Sequence, residues 1–182
     1  MSSSISAEDL RYPIGLFRYD GEADQRQREE WIEEIAATPG NLRAAVQGLS
    51  PRQLDTPYRE QGWTVRQVVH HLPDSHINAY TRMKLALTEQ TPVIKPYQEA
   101  RWAELPDGRE GPIELSLNLL ESLHHRWVLL LRRLSPADLH RQYVHPEQGR
   151  PVQLEEVLAL YAWHGRHHVA HITSLRRRMG WD

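Results

Sequence analysis

Four stretches of this chain carry apolar residues at helical spacing, separated by segments rich in proline and glycine. The first runs from about Asp24 to Leu49 through Trp31, Ile32, Ile35, Leu42 and Val46, with Pro39-Gly40 predicted to kink or split it. The second opens at Thr64, a good N-cap, and reaches about Thr88; Pro73 inside it predicts a bend near His71 and Asp74. The third starts at Pro112 and runs to about Leu134 on Leu115, Leu119, Leu123, Leu130 and Leu134. The fourth extends from about Leu154 to Met179, where Gly180 is placed to end it. Ser50-Pro51 and Ser135-Pro136 each pair a capping serine with a first-turn proline. Residues 1–22 read as an irregular leader, 89–111 as a long crossover with one short helix near Tyr97–Leu105, and 143–153 as a small hairpin. The expected fold is all-α, a four-helix bundle in a single domain over 1–182, with the long crossover between the second and third helices.

The fourth stripe is broken in an informative way. Its apolar positions are Leu154, Val157, Tyr161, Ile172, Leu175 and Met179, and the same steps carried across the gap land on His164 and His168. A polar side chain facing a core costs free energy unless it finds a partner. Two imidazoles at i, i+4 can converge on one point, the spacing a metal ion needs. His167 and His171 form a second such pair, rotated off the stripe, and serve as an alternative pair or as partners that fix imidazole tautomers. On the second helix His70, His71, Asp74 and His76 cluster within two turns. Periodicity turns His70 and Asp74 away from the core and leaves His71 against His76 close to even. His124, His125, His140 and His145 read as surface or locally hydrogen-bonded residues.

Composition narrows the chemistry. The chain has 182 residues and no cysteine, so any metal must be held by nitrogen and oxygen, and thiolate nucleophiles are excluded. Its 22 basic and 24 acidic residues leave a net charge of -2, which gives no footprint for nucleic acid. No secretory signal and no membrane-length apolar run are visible, so a cytoplasmic protein without membrane contact is expected. Arg176-Arg177-Arg178 and Glu155-Glu156 sit at the two ends of the fourth helix, where each sign complements the helix dipole. Two histidines from one helix and one from another would make a three-nitrogen site with an open fourth position. Zinc suits it best and nickel is an alternative. A zinc-bound water has its pKa lowered to about 7, and a bound thiol would be held as thiolate, so both hydrolysis and thiol transfer are chemically available.

Several motifs then point to a family. Leu54-Asp55-Thr56-Pro57-Tyr58-Arg59, Gly62-Trp63-Thr64-Val65-Arg66-Gln67-Val68-Val69-His70-His71-Leu72 and Asp74-Ser75-His76 resemble the YfiT branch of the DinB-like superfamily. So do Trp163-His164-Gly165-Arg166-His167-His168-Val169-Ala170-His171-Ile172-Thr173, the opening Tyr12-Pro13-Ile14-Gly15 and the ending Arg177-Arg178-Met179-Gly180-Trp181. The resemblance implies a four-helix bundle with a divalent metal on three histidines, His71 from the second helix and His164 and His168 from the fourth. It also implies a homodimer, and either a metal-dependent hydrolase or a transferase that conjugates a small thiol such as bacillithiol to an electrophile. Pro73 departs from the small residue expected at that position. Asp74, His76 and Tyr80 are candidates for contacts to the ligands or to substrate. A non-enzymatic metal- or ligand-binding bundle is the remaining alternative.

Overall fold

A computed structural model describes residues 10–181 of the chain. Four long helices build the body: α1 (Gln25–Val46), α3 (Val65–Thr88), α6 (Ile113–Leu131) and α8 (Leu154–Met179). Short helices α2 (Pro51–Leu54), α4 (Glu99–Trp102), α5 (Pro106–Glu110) and α7 (Pro136–Leu139) fill the connections. A hairpin of β1 (Gln142–His145) and β2 (Arg150–Gln153) precedes α8, with Tyr143 opposite Val152 in its antiparallel register. The crossover joins this hairpin through a parallel bridge between Val93 and Val144.

The local signals act as expected at most helix ends. Asp24 caps α1, and Thr64–Gln67, Ser50–Gln53 and Ser135–Asp138 each form a capping box that satisfies two otherwise free backbone donors. Gly180 ends α8 in the left-handed region at φ 63°, which a side chain would disfavour. The crossover carries two short helices instead of one, because Pro106 opens a second turn after Leu105. Helix α1 also runs unsplit through Pro39. Proline removes the donor to the Ile35 carbonyl, and that oxygen instead accepts from His124 Nδ1 at 2.7 Å.

The packing is not a simple ring of successive helices. Helix α1 packs on α6 and α8, and α3 packs on the same two, so α1 and α3 lie diagonally across the bundle. The core falls into two apolar clusters. One joins Ile35, Met83, Trp127, Leu131, Leu154 and Leu158, and the other Leu42, Val68, Leu72, Leu120, Ile172 and Leu175. Between them each long helix places polar residues at the same level: Thr38 on α1, Ser75 and His76 on α3, His124 on α6, and His164 and His168 on α8. The stripe of α6 also differs from the expected one. Its buried positions include Leu117, Leu120, His124, Trp127 and Leu131; of the expected stripe Leu123 is buried, whereas Leu115 and Leu119 are 69% and 47% exposed. Leucines occur all round this helix, so the apolar period alone could not choose the face.

Candidate metal centre

Helix α3 brings His71 and helix α8 brings His164 and His168 to one place. One ring nitrogen from each lies within 4.8 Å of the others. His71 and His168 are buried and His164 is partly buried. Burial, reinforced by His171, pushes the His71 imidazole down to about 4. Burial, then neighbouring imidazoles, holds His164 and His168 well below the ordinary histidine range. All three rings are therefore neutral at pH 7, the state that offers a lone pair to a metal. Nδ1 of His168 is buried without a hydrogen-bond partner. A buried orphan nitrogen beside two converging imidazoles fits a divalent ion and poorly fits a satisfied core histidine.

Contact geometry separates the two residues that periodicity left even. His71 joins the cluster, while His76 stands behind it, fully buried, with Nε2 at 3.0 Å from His164 Nδ1 and Nδ1 at 2.8 Å from His124 Nε2. His124 is thus a buried link on α6, not a surface residue. His70, expected to point away from the core, is buried between Ser116 Oγ at 2.7 Å and the Gly111 carbonyl at 3.0 Å, because the crossover packs over that face of α3. His125 and His140 are exposed. His145 is partly buried on the hairpin. Glu155 does more than complement a dipole. It is buried and accepts from Tyr19, Ala23 and Arg28, tying the segment before α1 to α8.

The three histidines line a pocket of about 500 Å³ that also includes His167 and His171. Burial pushes these two down to about 3 and about 4. Trp63 packs over His71 at 4.7 Å between ring centres, and Tyr58 stacks on His171 at 4.0 Å. The Tyr161 hydroxyl sits 3.3 Å from Ser75 Oγ, and both residues line the pocket. Arg11, Arg59 and Arg82 line the same cavity, with Glu99 as its carboxylate. Asp74 and Tyr80 do not reach this lining. Asp74 is half-buried near Asp107, where burial and that second carboxylate raise it to about 6. Tyr80 packs toward Trp127. Sequence reasoning assigned no role to Ser75, Arg59 or Arg82, nor to Tyr97, which also lines this pocket. Tyr97 comes from the crossover, whose path no periodicity specifies, whereas Ser75 could have been found as the residue beside His76 on the same helix.

Residues 34–172 match the DinB superfamily model. The chain belongs to the DinB superfamily. Among this family's members, a Bacillus mycoides protein named "Putative metal-dependent hydrolase" is 56% identical over 96% of this chain and 99% of its own length. A Bacillus cereus protein of the same name is 56% identical over 95% of this chain and 99% of its own. YfiT from Bacillus subtilis, described as "a probable metal-dependent hydrolase with an unusual four-helix bundle topology", superposes with a TM-score of 0.94 at 49% identity. That match covers 96% of this chain and 99% of YfiT. The diagonal placement of α1 and α3 is a four-helix bundle arrangement that departs from simple succession. The DinB-superfamily match spans all three converging histidines.

Proposed function

We propose that this DinB-superfamily protein is a divalent-metal-dependent enzyme, its ion held by His71, His164 and His168, that activates a small thiol for transfer to an electrophilic substrate. The donor set carries this reading: three neutral imidazoles converge, and no carboxylate joins the group among the described residues. Three nitrogen ligands leave a tetrahedral ion one open position, the catalytic arrangement. A bound ion there would supply Lewis acidity, holding a thiol as thiolate at neutral pH. The chain's own residues support that chemistry. Arg11, Arg59 and Arg82 outnumber Glu99 along the pocket and suit an anionic thiol of the bacillithiol kind. Ser75 and Tyr161 offer hydroxyls to the substrate, and Trp63 covers His71. In the transfer, the thiol gives up its proton to solvent as it becomes thiolate, the sulfur forms a bond to the electrophilic carbon, and the carbon–leaving-group bond breaks with its electron pair on the leaving group. Zinc is the proposed ion, with nickel as the alternative.

Hydrolysis is the second reading. It is favoured by the names of the relatives, and His167 and His171 bring two further imidazoles to the same pocket. No helix of the described residues is long and apolar enough to cross a membrane, in keeping with the proposed cytoplasmic setting. The exposed leucines Leu115, Leu119 and Leu129 on α6 offer the proposed homodimer an apolar face. The decisive experiment is metal analysis of the purified protein, followed by conjugation of small thiols to a chromogenic electrophile. Metal-dependent transfer lost in His164→Ala and His168→Ala is the expected result. Ester or amide cleavage without thiol would select the second reading, and a protein that takes up no divalent metal would overturn both.

A further inference from the structure

The strongest unassigned feature is a row of buried imidazoles behind His164 that ends on a proline. Pro39 has no backbone N–H, so the Ile35 carbonyl, four residues earlier on α1, lacks its helical donor. His124 Nδ1 lies 2.7 Å from that oxygen. A carbonyl can only accept, so this nitrogen carries a proton. In a neutral imidazole the other nitrogen is then a bare acceptor. His124 Nε2 lies 2.8 Å from His76 Nδ1, which must therefore be the donor. The same step repeats once more: His76 Nε2 is the acceptor, and His164 Nδ1, 3.0 Å away, donates to it. His164 is left with its lone pair on Nε2.

The chain depends on neutral rings, and their surroundings enforce neutrality. His76 is wholly buried and His124 is 1% exposed. Edge-on aromatic rings flank His76, with Tyr161 at 4.9 Å and Trp127 at 5.8 Å between centres. No carboxylate hydrogen-bonds either imidazole among the described residues, so a charge there would be desolvated and unpaired.

We propose that Pro39, His124 and His76 form a tautomer-setting chain that holds His164 as the Nδ1–H imidazole and aims its Nε2 lone pair at the metal position. This rests on the reading of His164 as a ligand. His76 and His124 are positioning residues, acting on the metal only through His164. The proline supplies the terminal acceptor that sets the direction of every donor in the row. Without it, the Ile35 carbonyl would be used within α1 and both tautomers of His124 would become available.

Two measurements test this on the full chain. Long-range proton–nitrogen NMR of metal-free protein with nitrogen-15-labelled histidine reads each tautomer directly. Nδ1–H forms are expected at His124, His76 and His164, and an Nε2–H form at His164 overturns the proposal. Zinc affinity, measured by competition with a chromophoric chelator, is expected to fall roughly 10- to 100-fold in His76→Phe. His76→Gln, whose amide can both accept from His164 and donate to His124, is expected to recover most of that loss. Pro39→Ala restores a competing N–H at Ile35 and is expected to weaken zinc binding and mix the His124 tautomers. If His76→Phe and Pro39→Ala both bind zinc as the wild type does while His164→Ala does not, the chain is refuted and the ligand reading stands. If His164→Ala binds zinc as the wild type does, the ligand reading itself fails and the proposal falls with it. Should His76→Phe not fold, the wild-type tautomers and Pro39→Ala still decide.

Discussion

Gly165 lies between two of the converging histidines, and adding one methyl group there tests how tightly α1 and α8 meet. A Cβ at Gly165 would stand 2.4 Å from Thr38 Oγ1 and 2.8 Å from Thr38 Cγ2. Thr38 has little freedom to yield. It is 2% exposed, its hydroxyl donates to the Glu34 carbonyl at 2.9 Å, and the rigid Pro39 follows it. Swinging the hydroxyl away forfeits a hydrogen bond of about 1 kcal/mol. Forcing a methyl into a packed interior costs about 1–3 kcal/mol. Against this, alanine is favoured over glycine in a helix interior by about 1 kcal/mol. The balance for Gly165→Ala is a net loss of about 1–3 kcal/mol, or roughly 2–12 °C in Tm for a chain of this size. Thr38→Ala in the same chain removes both clashing atoms, so the double variant should recover the whole clash, about 2–4 kcal/mol, relative to additivity. Urea melts of the four proteins, completed by Thr38→Ala alone, measure this coupling. A Gly165→Ala protein as stable as the wild type, or strictly additive behaviour, would show that the two helices are free to separate.

Other perturbations follow from the same geometry. Zinc at about 1,000 times its Kd should stabilise the metal-free protein by about 4 kcal/mol, roughly 8–16 °C by calorimetry, and chelation should reverse it. An equal shift in His168→Ala would place the ion elsewhere. Stability of the metal-free protein should decline with acid. Burial pushes His124 down to about 4, whereas the unfolded chain titrates near 6.5, so the unfolded state binds a proton that the folded state refuses. Stability is then full above about pH 6.5 and falls toward pH 4, by up to about 1.4 kcal/mol per pH unit for each such histidine. Urea midpoints that stay flat between pH 7.5 and 5 would contradict this. Glu155→Gln should cost about 2 kcal/mol in urea melts, below the range for a fully buried pair because Arg28 keeps 17% exposure; an unchanged melt would mean the segment before α1 is not anchored there. Leu119→Glu should convert the proposed homodimer to monomer by light scattering, and a wild type that is already monomeric would remove that interface.

The sequence displayed the parts of this fold that local chemistry controls. Thr64 with Gln67 and Ser135 with Asp138 marked helix starts through bonds made within four residues, and Gly180 marked an end through its own backbone. The pair His164 and His168 stood out because both replaced apolar residues on an otherwise regular stripe. Periodicity ran out where burial depends on which partner covers a face. On α6 leucine occurs on both faces, so the stripe through Leu115 and Leu119 looked as good as the buried one through Leu117 and Leu120. On α3 both His71 and His76 proved buried, and only their distances to α8 separate the residue that converges with His168 from the one behind His164. His70 was misplaced for a related reason: its partner Gly111 arrives from the crossover, 41 residues along the chain.

The polar layer explains why these ambiguities cluster at one height. A metal site inside a bundle needs neutral nitrogen donors, and donors with two nitrogens need their second one satisfied. An apolar neighbour cannot do that, so the first histidine requires a second, and the second a third. The row closes only on a group with no further hydrogen to give or take, here the Ile35 carbonyl released by Pro39. Each helix therefore gives up apolar packing at this level: α1 carries Thr38-Pro39, α3 carries Ser75-His76, α6 carries His124 and α8 carries His164-Gly165. Gly165 lets α8 approach Thr38 closely at the same level. The proline that reads in isolation as a helix breaker becomes, in this setting, the fixed end of a donor chain. Its helix remains whole because the carbonyl it frees is never left without a partner.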